Sequence, residues 1–292
     1  MIGRGGLNVF SARTTDAEDT NIRFMPVTNL QVSNPLIEKQ KTNTINNPVK
    51  VVKNLPVVLL ANIQSFGRSN KNDKSVEVEM ILNHNKVDIA VFTETWLCQD
   101  SSKQLPFNDY VKFHIIRQNV LRHSGGVSTF IHKDIPATKL NVKVPDHLEV
   151  LWVSVRPKWL PRSVSNIIIC GIYYPGSNSI YAPAQEDLVT YLTESVQKFM
   201  NRYSSPLFML MGDFNDLDIG EICEICRFQQ VVKVPTRGEA TLDLILTNIN
   251  NVYYQDPISL PQIGDGDHFC VLYSPKSYEK PKSQREKTKT GI

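Results

Sequence analysis

The stretch Pro206-Leu207-Phe208-Met209-Leu210-Met211-Gly212-Asp213-Phe214-Asn215 decides how this chain is read. A short unbroken apolar run bounded by turn formers predicts a strand covered on both faces. Gly212, Asp213 and Asn215 then fall at its C-terminal end, where α/β sheets gather their chemistry. The pattern recurs twice. Asp88-Ile89-Ala90-Val91-Phe92-Thr93 leads into Glu94-Thr95-Trp96, and Asp267-His268 precedes Phe269-Cys270-Val271-Leu272-Tyr273. Three strand ends thus carry acids, an amide and an imidazole.

Those residue types suit hydrolysis of a phosphodiester. That reaction asks for a divalent cation, a group to position and deprotonate water, and donors for the developing charge. Oxygen ligands favour Mg²⁺, with Mn²⁺ as a substitute, held through one or two carboxylates.

Composition narrows the classes. With 292 residues, 41% hydrophobic and 21% charged, the chain has the make-up of a globular protein. No segment approaches the roughly 20 apolar residues of a membrane helix, and Met1 to Gly6 lacks the apolar core of a signal peptide. Five cysteines form an odd set, which fits reduced thiols; an intracellular, nuclear location is expected. The net charge is +3, yet the segment from Lys276 onward carries +4 and the remainder about −1. Contact with DNA therefore has to come from local patches and a metal rather than from a basic body. The tail itself reads as a solvated tail or linker, with a nucleic-acid or import signal as the alternative.

Residues 1–54 are rich in Asn and Thr without sustained periodicity, so disorder is expected there, followed by one folded domain over 55–275 and the basic tail 276–292. Strands are expected at Val57–Ala61, Asp88–Thr93, Gly125–Ile131, Leu148–Val155, Ile167–Tyr174, Pro206–Met211, Gln229–Val234, Leu242–Leu246 and Phe269–Tyr273. Helical spacing marks Lys74–His84, Gln185–Tyr203 and Ile219–Phe228, with Glu186 and Asp187 placed to favour the second helix's N-terminus. Many strands and few long helices, not in alternation, argue for two packed mixed sheets flanked by helices.

Taken in order, the motifs resemble the endonuclease/exonuclease/phosphatase superfamily, and most closely the endonuclease domain of LINE-type, jockey-like retrotransposons. The resemblance runs from about Leu55 to Ser274 and implies an α/β four-layer sandwich of the DNase I type. It implies metal-side roles for Glu94, Asn62 and Asp267. Asp213 and Asn215 match the pair that activates and orients water, and Asp243 the aspartate that orients the catalytic His268. Tyr173, in Gly171-Ile172-Tyr173-Tyr174-Pro175, and Thr236 with Arg237, in Pro235-Thr236-Arg237, match phosphate-side residues. DNA is the implied substrate. A reverse transcriptase is the partner implied in an intact element; no Ala-Asp-Asp segment occurs among these residues. Gly266 departs from the family pattern, which has Ser before Asp-His.

Alternatives share these motifs. Abasic DNA or another phosphoester would use the same chemistry, and a degenerate remnant would bind nucleic acid without cutting it. Asn62 serves equally well as the cap of a turn. Tyr173 and Tyr174 compete for one inward position, since a strand sends neighbours to opposite faces. Cys223-Glu224-Ile225-Cys226 has no second Cys/His pair at ligand spacing, which argues against zinc. Gly125-Gly126 precedes a strand and lacks the Gly-Lys-Ser/Thr of a phosphate loop.

Overall fold

The computed structural model describes residues 55–67, 73–117, 124–158, 160 and 163–276. The segment 1–54 and the tail beyond Lys276 lie outside the described residues. The elements are β1 (Val58–Asn62), α1 (Ser75–His84), β2 (Ile89–Thr93), α2 (Gln99–Lys103), β3 (Tyr110–Ile115), β4 (Val127–His132), β5 (Ala137–Lys139) and β6 (Glu149–Val155). They continue with β7 (Ile167–Tyr173), α3 (Gln185–Arg202), β8 (Leu207–Asp213), α4 (Gly220–Cys226), β9 (Gln229–Gln230), β10 (Asp243–Thr247), β11 (Ile258–Gln262) and β12 (Phe269–Tyr273).

One six-stranded sheet is ordered β11-β12-β1-β2-β4-β3, the other β5-β6-β7-β8-β10-β9. Each has one parallel pair, β1 with β2 and β7 with β8, among antiparallel neighbours. Period-two alternation explains the unbroken apolar runs. In β1, Val58 and Leu60 enter the core between the sheets, while Leu59 and Ala61 pack outward with Val78 and Leu82 of α1. In β8, Met209 and Met211 face inward, and Phe208 and Leu210 join Leu188, Leu192, Val196 and Phe199 of α3. The result is helix, sheet, sheet, helix, the expected four layers.

The same parity delivers the functional side chains. Counting by twos from the inward residues, Asn62 lies on the inner face of β1, Glu149 of β6, Tyr173 of β7, Asp213 of β8 and Asp243 of β10. Tyr173 packs in the inter-sheet core and Tyr174 in the outer one. Glycine is needed where β7 and β8 close on each other: a Cβ on Gly212 would lie 1.7 Å from the Ile172 carbonyl oxygen.

Four elements had no clear periodic signal: α2, β3, β5 and β11. The expected strand Gln229–Val234 also stops at Gln230. Its apolar signal outlasts the pairing because Val231 and Val232 remain buried beyond it.

Candidate active site

The buried half of the site is built across β8 and β10. Asp213 and Asp243 are cross-strand partners, so two carboxylates lie side by side. His268, immediately before β12, donates Nδ1–H to Asp243 Oδ2 at 2.7 Å and is 2% exposed. Burial pulls the imidazole pKa down, but the hydrogen bond and charge of Asp243, with Asp213 and Asp267 behind them, lift it above its ordinary value. Asp213 is pushed up to about 7, first by burial and then by the charge of Asp243. The His268 charge, the Asn62 amide and the Asn215 N–H pull it the other way.

Thr236 sets the register of this half. Its buried Oγ1 accepts from the N–H groups of Leu242 and Asp243 at 2.9 and 3.1 Å, and its carbonyl accepts from Phe269 N–H at 2.8 Å. One residue thereby ties the start of β10 to the start of β12, holding Asp243 against His268. Asn215 turns the chain at φ 46°, a left-handed conformation that asparagine tolerates. Its backbone N–H reaches Asp213 Oδ1 at 3.1 Å, and its side-chain amide donates to the Tyr174 carbonyl at 2.7 Å.

The more open half centres on Glu94, also left-handed at φ 50°. Oε1 accepts from the Tyr173 hydroxyl at 2.9 Å and the Asn62 amide at 3.3 Å, and Oε2 accepts from the Trp96 indole at 3.1 Å. The same Asn62 nitrogen donates to Asp213 Oδ2 at 2.9 Å. Asn62 is a turn cap as well, since its Oδ1 accepts from Gln64 N–H at 3.2 Å. Gln64 then donates through its side chain to Asp267, which forms an ion pair with Arg237 at 2.6 Å. A continuous chain of hydrogen bonds, ended by one ion pair, therefore joins Glu94, Asn62, Gln64, Asp267 and Arg237.

Among the described residues, Asp213, Asp243 and His268 form a group whose ligand atoms lie within 4.8 Å of one another, close enough to hold a metal ion. Coordination by His268 Nδ1 would break its bond to Asp243. Glu94 and Asp267, by contrast, are oxygen donors nearer the surface and keep lone pairs beyond their present hydrogen bonds, a donor set that fits a hard divalent cation. All five cysteines are free, and no group of three or more potential metal ligands among the described residues includes Cys223 and Cys226.

Gln64, the Trp96 indole and the Gly125-Gly126 pair carry contacts that no motif assigned to them. The glycine carbonyls accept from Trp96 and Thr95 N–H at 2.9 and 3.3 Å, supporting the Glu94 loop from below. Gly266 is not left-handed; a Cβ there would meet the Ile263 carbonyl at 3.2 Å.

No known family profile and no curated protein matches the sequence. Solved structures do. The endonuclease domain of TRAS1, a telomere-specific non-LTR retrotransposon, matches with TM-score 0.52 at 13% identity, over 77% of this chain and 100% of that one. An AP endonuclease from Leishmania major matches with TM-score 0.55 at 13% identity, over 76% and 88%. The 3′ phosphatase NExo (D146N) from Neisseria, bound to a product DNA hairpin, matches with TM-score 0.52 at 15% identity, over 76% and 100%. Together with the two mixed six-stranded sheets between helices, these matches give the chain the DNase I-like fold of the endonuclease/exonuclease/phosphatase superfamily.

Proposed function

We propose that this protein is a Mg²⁺-dependent phosphodiester hydrolase that nicks DNA, in the manner of a retrotransposon target-site nuclease. The observation that carries the reading is a single amide: Asn62 Nδ2 donates both to Asp213, a buried carboxylate, and to Glu94, a carboxylate open to a cation. Proton chemistry and charge neutralisation are thereby held at a fixed separation.

Glu94, Asn62 and Asp267 would hold the cation, which supplies electrostatic stabilisation of the phosphate. Asp213 takes a proton from the attacking water; its elevated pKa suits a general base working near neutral pH. Asn215 aligns that water from the adjoining turn. The water oxygen bonds to phosphorus as one ester P–O bond breaks, and the leaving oxygen departs as an alcohol after taking a proton from solvent. His268, whose protonated form the Asp243 hydrogen bond and charge favour, directs Nε2–H at the developing negative charge; that nitrogen lies 3.8 Å from Asp267 Oδ1, beyond hydrogen-bond reach of the carboxylate. Tyr173 and Arg237 flank the phosphate, and Thr236 fixes Asp243 and His268 behind it.

The resemblance to retrotransposon endonucleases and the likeness to a DNA-bound phosphatase support DNA as substrate. A supercoiled plasmid, an abasic duplex and an inositol phosphate, incubated in parallel with Mg²⁺, test the reading. Relaxation of the plasmid that stops in excess EDTA is expected. Undiminished nicking in EDTA, or turnover of the inositol phosphate alone, would overturn it.

A further inference from the structure

Glu149 opens β6 as the cross-strand partner of Tyr173 and is 8% exposed. Its Oε1 accepts from Arg117 Nε at 2.6 Å and from a second N–H of the same guanidinium, and its Oε2 accepts from Gly126 N–H. The Arg117 side chain is 11% exposed. An ion pair this dehydrated is a poor source of net stability, because desolvation offsets most of the attraction. Its connections indicate another use.

Two arms leave the pair and meet again. Through Gly126 and its neighbour Gly125, backbone carbonyls hold Thr95 and Trp96, and the Trp96 indole holds Glu94 Oε2. Along the other arm, the Arg117 guanidinium lies 5.5 Å from the centre of the Tyr173 ring, and the Tyr173 hydroxyl holds Glu94 Oε1. Both oxygens of one carboxylate are thus braced from a single buried pair. The brace has something to resist, since Glu94 and Trp96 both sit at positive φ, 50° and 52°, a conformation that costs free energy in side chains of this kind. It also leaves no slack: a Cβ on Gly126 would lie 2.8 Å from Thr95 Oγ1.

We propose that Arg117 and Glu149 are positioning residues that aim the Glu94 carboxylate and so set the affinity of the protein for a divalent cation, without touching cation or substrate. The cation half of this claim rests on the role given to Glu94 above. The aiming half stands on geometry alone.

The test compares the full-length wild type with Glu149→Gln, which cannot accept from both the guanidinium and the Gly126 N–H through two carboxylate oxygens. Leu192→Ala, on the buried face of α3, serves as a control for general loss of stability. The first readout is the indole N–H resonance of Trp96 in metal-free protein, assigned with Trp96→Phe. In Glu149→Gln this proton should exchange with solvent faster, and in Leu192→Ala it should not. The second is Mn²⁺ binding followed by electron paramagnetic resonance. Glu149→Gln should weaken it about tenfold or more, the usual scale for groups that orient a metal ligand. Should Glu149→Gln fail to fold, Arg117→Lys, which keeps the charge but loses the planar fork, is read the same way. An unchanged indole signal with unchanged Mn²⁺ affinity, or equal changes in Leu192→Ala, would overturn the proposal. Wild-type protein that binds no Mn²⁺ overturns the cation half. Wild type that binds Mn²⁺ yet cuts none of the three substrates refutes the hydrolase reading and leaves both readouts decisive for the brace.

Discussion

Asp213, Asp243 and His268 are 1%, 0% and 2% exposed, whereas the side chains of Asp267, which has an oxygen 3.8 Å from His268 Nε2, and of its ion-pair partner Arg237 are 45% and 49% exposed. The buried set has lost its water and must find its partners inside the protein before any substrate arrives. The open set keeps water, so its oxygens can exchange solvent for an ion at low cost. On the proposed reading, the first half serves proton transfer and the second receives the cation. Asn62, 2% exposed, is the joint between them.

If that division holds, substitutions on either side of Asn62 should fail differently. Asp213→Ala should lower single-turnover nicking by about a hundredfold or more even at saturating Mg²⁺, the scale of a lost general base. His268→Ala should do likewise and also lower stability by about 3 kcal/mol, because Asp243 would become an unpaired buried charge. Glu94→Gln should chiefly raise the Mg²⁺ concentration needed for half-maximal rate. Magnesium titrations of nicking, with urea unfolding beside them, check all three. An identical Mg²⁺ requirement in Glu94→Gln and wild type would erase the distinction.

A subtler contrast lies in pH. The pKa of Asp213 is raised on folding from about 3.8 to about 7, so between those values the folded protein holds a proton that the unfolded chain releases. Stability from this group is present below about pH 4 and is lost as pH rises through about 7. Metal-free wild type should therefore lose more thermal stability than Asp213→Asn between pH 5 and pH 8, measured by calorimetry in EDTA. Parallel curves for the two proteins would show that burial does not govern this carboxylate.

The smallest effect is expected at Gly266. Its backbone is not left-handed, so the tightest contact serine meets is the 3.2 Å approach to the Ile263 carbonyl, with Gln64 Oε1 at an ordinary 3.9 Å. Gly266→Ser should change stability by no more than about 1 kcal/mol and alter nicking by about threefold or less, the range of one hydrogen bond. A much larger gain would mean that a hydroxyl beside Asp267 belongs to the open half.

What the sequence shows and hides follows the same division by exposure. The central strands β1, β2, β7 and β8 were legible because both faces are buried, which leaves an uninterrupted apolar run at each. The unseen or misjudged strands β3, β5, β9 and β11 are the four outermost positions of the two sheets. There one side meets solvent, as the exposed Ile258 and the polar Lys112 and His114 illustrate, and the periodic signal fades. The strand-end placement of the acids and His268 was legible because each adjoins a buried run. Gln64, Arg117 and Glu149 were not, since their meaning comes from long-range contacts: Gln64 with Asp267, and Arg117 with Glu149. Parity, once the inward face was known, settled the competition between Tyr173 and Tyr174.

The edge strand β11 has a consequence for how copies of this protein meet. Its ladder to β12 slips between Leu260 and Gln262, and Pro261 at the slip has no N–H to offer. A bulge and a proline together spoil the regular row of donors that an extended segment of another molecule would need in order to extend the sheet. The rim of this sheet is thereby guarded against strand-to-strand association, although Ile258 is exposed on it. Self-association by sheet extension at that edge would require β11 to re-register first.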